Sequence, residues 1–276
     1  MKVYPVVALE FGADKITALV GELLADGSIS IMGKGEYAHA PSASGIAFTG
    51  ADLKNALGAA EESAEACIVK IHLVMPCENI QSLVAAGLIP VLTTLKDPDI
   101  QKHIDLIEGI DCAVDDVVFS GYCAALAVTT TAQREQGVAV IDIGAGMITF
   151  AAFAAGQPAT IGACKITGKV DAEAIQRVCQ SIKQAGIKDQ LAGGILLTGE
   201  GSQAQGLLHL VETTFGMKCS LGLPRGFIGL EATVLNRPDY AACLGMIRYA
   251  YTDGLRKLIR PSPVVAAIKK LFRLSK

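Results

Sequence analysis

The sequence predicts an α/β protein assembled twice from one unit, on three observations. Two stretches are near copies: "VALEFGADKITAL" from Val7 and "VIDIGAGMITF" from Val140 align at an offset of 132 residues. They share an acid (Glu10, Asp142), then Gly (Gly12, Gly144), Ala (Ala13, Ala145), Ile (Ile16, Ile148) and Thr (Thr17, Thr149). Hydrophobic residues make up 51% of the chain with only 5% aromatic and no Trp, an aliphatic balance suited to strands covered on both faces. After each copy, strand-like alternation gives way to helical periodicity, the mark of β-α units.

In order, "VVALEF", "ITALVGELL" and "SISIMGKGEY" read as three antiparallel strands, the last two joined at Asp26-Gly27, a strong hairpin signal. "HAPSASG" is a loop. "ADLKNALGAAEESAEA" is a helix, because Leu53, Ala56, Leu57, Ala60 and Ala64 fall on one face. "CIVKIHLVM" is a strand stopped by Pro76, and the stretch 78–95 shows no clear period. "DPDIQKHIDLIEGI" is a helix, "DDVVFS" a buried strand and "YCAALAVTTTAQ" a helix. The pattern restarts at Gly137 with strands "VAVIDI", "MITFAAF" and "ATIGACKI". The helix "VDAEAIQRVCQSIKQAG" follows, with Ala174, Ile175, Val178, Ile182 and Ala185 as its stripe. "GILLTGEGSQAQGLLHLVETTF" is strand, Gly-rich turn and helix; "KCSLGL" is a short strand and "DYAACLGMIRYAY" a helix. His209 and Cys243 fall in helical stripes and read as core. The expected division is a first lobe from 1–134 plus 239–260, a second from 135–238, and a separate terminal helix, 261–276.

Composition excludes several function classes. No window holds 18 uninterrupted apolar residues, and the first residues lack a small-residue cleavage site, so neither a spanning helix nor a signal peptide is expected. Eight cysteines and four histidines are scattered without a CxxC pair, which predicts no metal site and reduced, buried thiols in a cytosolic protein. The net charge of −3 hides an asymmetry: after Gly254 there are seven cations and no acid. The remainder carries 17 cations against 27 acids, a net −10, and is a poor surface for nucleic acid.

A Gly following an acid at a hairpin tip lets backbone N–H groups approach a ligand. Two such hairpins across a cleft would hold a phosphate chain, with the acids reaching Mg²⁺ through its waters. The turns and the later "TGEG" place Glu10, Gly12, Asp142, Gly144, Gly199 and Gly201 at such a site.

The set "LEFGADK", "IDIGAGMIT", "ILLTGEGSQAQGL" and "DYAACLGMIRY" resembles the two phosphate loops, adenosine motif and closing helix of the actin/Hsp70/sugar-kinase superfamily. In order and flanks it is most similar to the bacterial cell-division protein family FtsA. The resemblance implies an actin-like, ribonuclease H-like duplicated fold of two lobes, with ATP and Mg²⁺ as the family's cofactors. It also implies FtsZ and other division proteins as partners, and self-association into polymers. Two family pieces look reduced. The subdomain that follows the second phosphate loop and binds the FtsZ tail is replaced by "GQPATIGACKITGK", and the first-lobe insertion shrinks to 78–95.

The residues depart from the family pattern where phosphate would sit. Glu10 replaces Asp, Ala13 and Asp14 replace small hydroxyl residues, and Gly-Gly-Thr-x-Asp becomes Ala145-Gly146-Met147-Ile148-Thr149. Glu200 stands where a small residue is usual. Lys15, Asp142, Gly144, Gly146, Gly199 and Gly201 do fit the pattern, so the resemblance implies a binding set of Glu10, Gly12, Lys15, Asp142, Gly144, Gly146, Gly199 and Gly201. Each added anion within ~4 Å of a phosphate costs about 1–4 kcal/mol, and each lost hydroxyl roughly 0.5–1.5 kcal/mol. The expectation is weak or absent ATP binding, with catalysis secondary or absent.

The end of the sequence, "PSPVVAAIKKLFRLSK", reads as an amphipathic helix. Val264, Val265, Ile268, Leu271 and Phe272 form an apolar stripe, with Lys269, Lys270, Arg273 and Lys276 on or beside the other face. Apolar bulk opposed only by cations suits the interface of an anionic membrane, and the resemblance implies the same. The sequence-level reading is therefore a peripheral scaffold of cell division at the cytoplasmic side of the inner membrane. The rivals are a PilM-like component of a pilus or secretion system and a small ATPase or kinase of the same superfamily.

Overall fold

The computed structural model describes residues 5–12, 14–38, 48–78, 80, 92, 97–144, 146–230 and 235–254. Its strands are β1 (Val6–Phe11), β2 (Lys15–Leu23), β3 (Ile29–Ala38), β4 (Lys70–Met75), β5 (Ala113–Phe119), β6 (Val138–Ile143), β7 (Met147–Ala154), β8 (Gln157–Lys165), β9 (Ile195–Thr198), β10 (Cys219–Leu221) and β11 (Phe227–Gly229). Its helices are α1 (Gly50–Ala64), α2 (Pro98–Glu108), α3 (Ser120–Val128), α4 (Thr131–Gln136), α5 (Ala172–Gln184), α6 (Leu207–Phe215) and α7 (Ala241–Tyr249).

The duplication visible in the sequence is a duplication of topology. One sheet runs β11-β3-β2-β1-β4-β5 and the other β10-β9-β6-β7-β8. In both, the first three strands of the unit are antiparallel neighbours, and the fourth and fifth add in parallel to the first. The registers match as well: Glu10 lies opposite Thr17, and Asp142 opposite Thr149. The structure is thus α/β with two mixed sheets, as the alternating periods predict.

Helices α3 and α7 fill the space between the sheets. All nine residues of α3 and eight of α7 are buried, which is why neither shows an amphipathic stripe. They cross at Gly245, where an added Cβ would lie 1.7 Å from the Cys123 carbonyl oxygen, so no other residue fits that approach. Strand β6 is buried on both faces. Val138 and Val140 join the core shared with the first sheet, while Ala139, Ile141 and Ile143 join a second core under α5 and α6. That double burial explains the continuous apolar run "VAVIDI".

Local chemistry sets the helix ends. Thr49 and Asp52 form a capping box at the start of α1, whose Leu53, Ala56, Leu57, Ala60 and Ala64 are buried as their spacing predicts. The helix expected over 122–133 is instead two. Thr129 turns its hydroxyl back to the Ala125 carbonyl at 2.6 Å, and Thr130 caps α4 through Gln133. β-Branched hydroxyl residues in a row compete with the helix for its own backbone groups, and here they win.

Two readings of single residues change. Ala185 is the exposed end of α5, and Cys179 completes the buried stripe in its place. His209 is exposed, because the inner face of the short α6 is Leu207, Val211 and Phe215. Strand β11, three residues beside two glycines, carries no alternation long enough to read. It lies within 135–238 yet pairs with β3, so the second half of the chain lends an edge strand to the first sheet. Between β8 and α5 only residues 166–171 intervene. The stretch 78–95 is described only at Glu78, Ile80 and Leu92, and the positions within 261–276 expected to meet a membrane lie outside the described residues.

Candidate functional site

The two repeated turns meet. Glu10, Gly12, Asp14, Lys15 and Thr17 from the first unit line one cleft with Asp142, Gly144, Gly199 and Glu200 from the second, and Asp239 and Ala242 close it. Of the expected binding set, Glu10, Gly12, Lys15, Asp142, Gly144 and Gly199 are brought together there. Gly146 and Gly201 are not among the lining residues. The Gly146 carbonyl accepts from Ile166, and Gly201 packs against Ile143, whose methyl an added Cβ would approach to 2.5 Å. Gly199 is required by its surroundings: φ is +85°, and a Cβ would stand 2.3 Å from Asp142 Oδ1.

Each acid is placed by its strand. Asp142 Oδ2 accepts from Thr149 Oγ1 at 3.2 Å, which in turn accepts from Ser120 Oγ at 3.4 Å. Burial raises Asp142 to about 6, against the pull of the Thr149 hydrogen bond. Glu10 Oε2 accepts from the buried Cys243 thiol at 3.5 Å on α7. Burial first, and then the Asp142 charge, lifts Glu10 to about 8, against the Cys243 hydrogen bond and the Lys15 charge. A glutamic acid at such a value is neutral at pH 7.

Lys15, the sole cation lining the cleft among the described residues, is already engaged. Its Nζ donates to Glu36 at 2.9 Å and to Asp239 at 3.3 Å, and lies 5.2 Å from the Tyr240 ring centre. Burial works against its charge, but Glu36 and Asp239 prevail and its pKa is raised. Glu36, shared with Lys34 at 2.9 Å, feels burial in the opposite sense yet is held down at about 2 by the two lysines. Lys34 and Arg237 also lie over the Tyr240 ring, at 5.5 and 5.0 Å.

The cleft encloses about 70 Å³, whereas small-molecule sites run from ~300 to ~1,000 Å³. A larger depression of about 430 Å³ lies elsewhere, between β8 and α5, lined by Phe150, Lys165, Arg177 and Gln184 among others. It holds none of the expected binding set. Sequence reasoning missed Asp239, Thr17, Thr149 and Glu36 as parts of the network. The Thr pair was legible, since both threonines belong to the repeat; Glu36 and Asp239 carry no local signal.

No family model matches the sequence. The chain is 22% identical to the cell division protein FtsA of Escherichia coli (strain K12) over 383 residues, covering 91% of each. It is 20% identical to FtsA of Pseudomonas aeruginosa over 378 residues, covering 91% of this chain and 89% of that protein. Among solved structures it resembles the PilM-PilN type IV pilus biogenesis complex (TM-score 0.60, 14% identity, 88% of this chain and 97% of the other). It also resembles the ethanolamine utilization protein EutJ of Carboxydothermus hydrogenoformans (0.57, 12%, 90% and 90%). A third is MreB5 of Spiroplasma citri bound to ADP (0.53, 11%, 92% and 98%). The chain is a distant FtsA homologue with an actin-like fold.

Against that fold the residues of this FtsA-like cleft do not fit a magnesium nucleotide as they stand. The space is several-fold too small, five acidic side chains line it, and its lysine is committed to two of the protein's own acids. Among the described residues no group of three or more His, Cys, Asp or Glu side chains is arranged to hold a metal ion. No helix among them is long and apolar enough to cross a membrane.

Proposed function

We propose that this protein is a scaffold of the bacterial division apparatus, held on the inner face of the cytoplasmic membrane and working without nucleotide turnover. The observation that carries this reading is the extent of the FtsA similarity, which runs through both lobes rather than through one motif. The self-engaged cleft argues for a structural role of the two lobes over a catalytic one. The membrane side rests on the pattern of 261–276, where an apolar stripe faces only cations.

The E. coli alignment runs over 383 residues, while 91% of this 276-residue chain is about 251, so roughly 130 positions of the relative face gaps. With six residues between β8 and α5, the lobe has no room there for a further subdomain. Contact with division proteins, FtsZ included, would therefore use another surface of the body.

A fluorescent fusion tests the reading in cells. The full chain is expected at the division-site membrane, and a chain ending at residue 260 is expected to be dispersed. A full chain spread evenly through the cell would overturn it. Micromolar binding of Mg-ATP by calorimetry would overturn the nucleotide-independent part alone.

A further inference from the structure

One short turn faces both lobes at once. Pro238–Tyr240 precedes α7, and the Pro238 carbonyl accepts from Thr198 Oγ1 at 3.2 Å and from the Gly199 amide at 3.1 Å. Both donors belong to the Gly-rich turn of the second lobe. The next residue, Asp239, accepts from Lys15 Nζ at 3.3 Å on β2 of the first lobe. Arg237 donates to the same carboxylate through Nε at 2.9 Å and through Nη2. The Asp239 side chain is only 7% exposed and that of Lys15 23%, so the pair is shielded from the screening that weakens surface ion pairs.

The position of Asp239 is what makes the contact consequential. Its backbone is tied to one wall of the cleft through Pro238, and its side chain is tied to the other through Lys15. An anion entering the cleft would meet a lysine with two of its three N–H donors already engaged, ringed by Glu10, Asp14, Asp142 and Glu200.

We propose that Asp239 is a built-in anion of the cleft, and that the Lys15–Asp239 contact latches the 237–240 turn, which Pro238 ties to the Gly-rich turn of the second unit, onto the first unit without any ligand. A ligand anion takes over the Lys15 donor that Asp239 holds only by displacing Asp239. The inference stands on the geometry and is independent of the division role, so loss of midcell localisation would not touch it.

The test compares the full-length protein with Asp239→Ala and Asp239→Asn, the second keeping shape and one oxygen acceptor. Hydrogen exchange reads the latch at residues 198–203, and calorimetry with inorganic pyrophosphate in the absence of divalent ions reads the displaced anion. In Asp239→Ala the 198–203 amides are expected to exchange about tenfold faster or more, and pyrophosphate to bind about tenfold tighter or more than to the unaltered chain. Asp239→Asn should fall between the two. Unchanged protection in the Asn variant, which is the one least able to disturb folding, overturns the latch. Pyrophosphate binding equally well to all three proteins overturns the built-in anion.

Discussion

Replacing Glu10 by Gln should make stability less dependent on pH, with a size that follows from its surroundings. Glu10 has an ordinary value of 4.5 and a value of about 8 in the folded protein, raised by burial and by Asp142. Between those values the folded state holds a proton that the unfolded state has released. Stability from this group is therefore fully present below pH 4.5 and is lost as pH rises towards 8. At about 1.4 kcal/mol per unit, and allowing for the onset near each end, the loss by pH 7 is at most ~3 kcal/mol. Some solvent reaches Glu10, which makes that an upper bound. Gln keeps an oxygen for the Cys243 thiol at 3.5 Å but never ionises. Urea denaturation of both proteins at pH 4.5, 5.5, 6.5 and 7.5 gives the difference in unfolding free energy, to which Asp142 contributes alike in both. The variant should gain about 2–3 kcal/mol relative to the parent from pH 4.5 to 7. Two parallel stability curves would refute the reasoning, because they would mean that Glu10 titrates alike folded and unfolded.

Two further substitutions address the frame around the cleft. Gly245→Ala should cost about 3 kcal/mol or more in urea unfolding, since its methyl would sit 1.7 Å from the Cys123 oxygen and force α3 and α7 apart. A cost below about 1 kcal/mol would show that the helices do not cross so closely. Arg248→Leu should cost about 2–4 kcal/mol and speed exchange at residues 225–229. The guanidinium donates to the Leu126 carbonyl at 2.6 Å and to the Arg225 carbonyl, and lies 4.3 Å from the Phe227 ring centre, joining the end of α3 to β11. Unchanged exchange there would remove Arg248 from that role.

Much of the fold was legible because burial leaves a period in the sequence. The stripes of α1 and α5 and the doubly buried β6 follow from which positions meet core and which meet water. The repeat added the topology, since two copies of one hairpin unit build one sheet order twice. Where periodicity was too short or local hydroxyls competed, reading failed: β11 spans three residues, and Thr129 and Thr130 break a helix that its apolar positions would continue.

For the site, the sequence determined which acids and glycines stand at the two hairpin tips, because a repeated turn needs the same residues for the same local reason. Only the tertiary structure decided that Lys15 would be held by Asp239, 224 positions away, and that Cys243 would serve Glu10 across 233. Only packing fixed the cleft at about 70 Å³. Local conformational preference acts over a few residues, whereas charge pairing and excluded volume act between whatever surfaces the closed chain brings together.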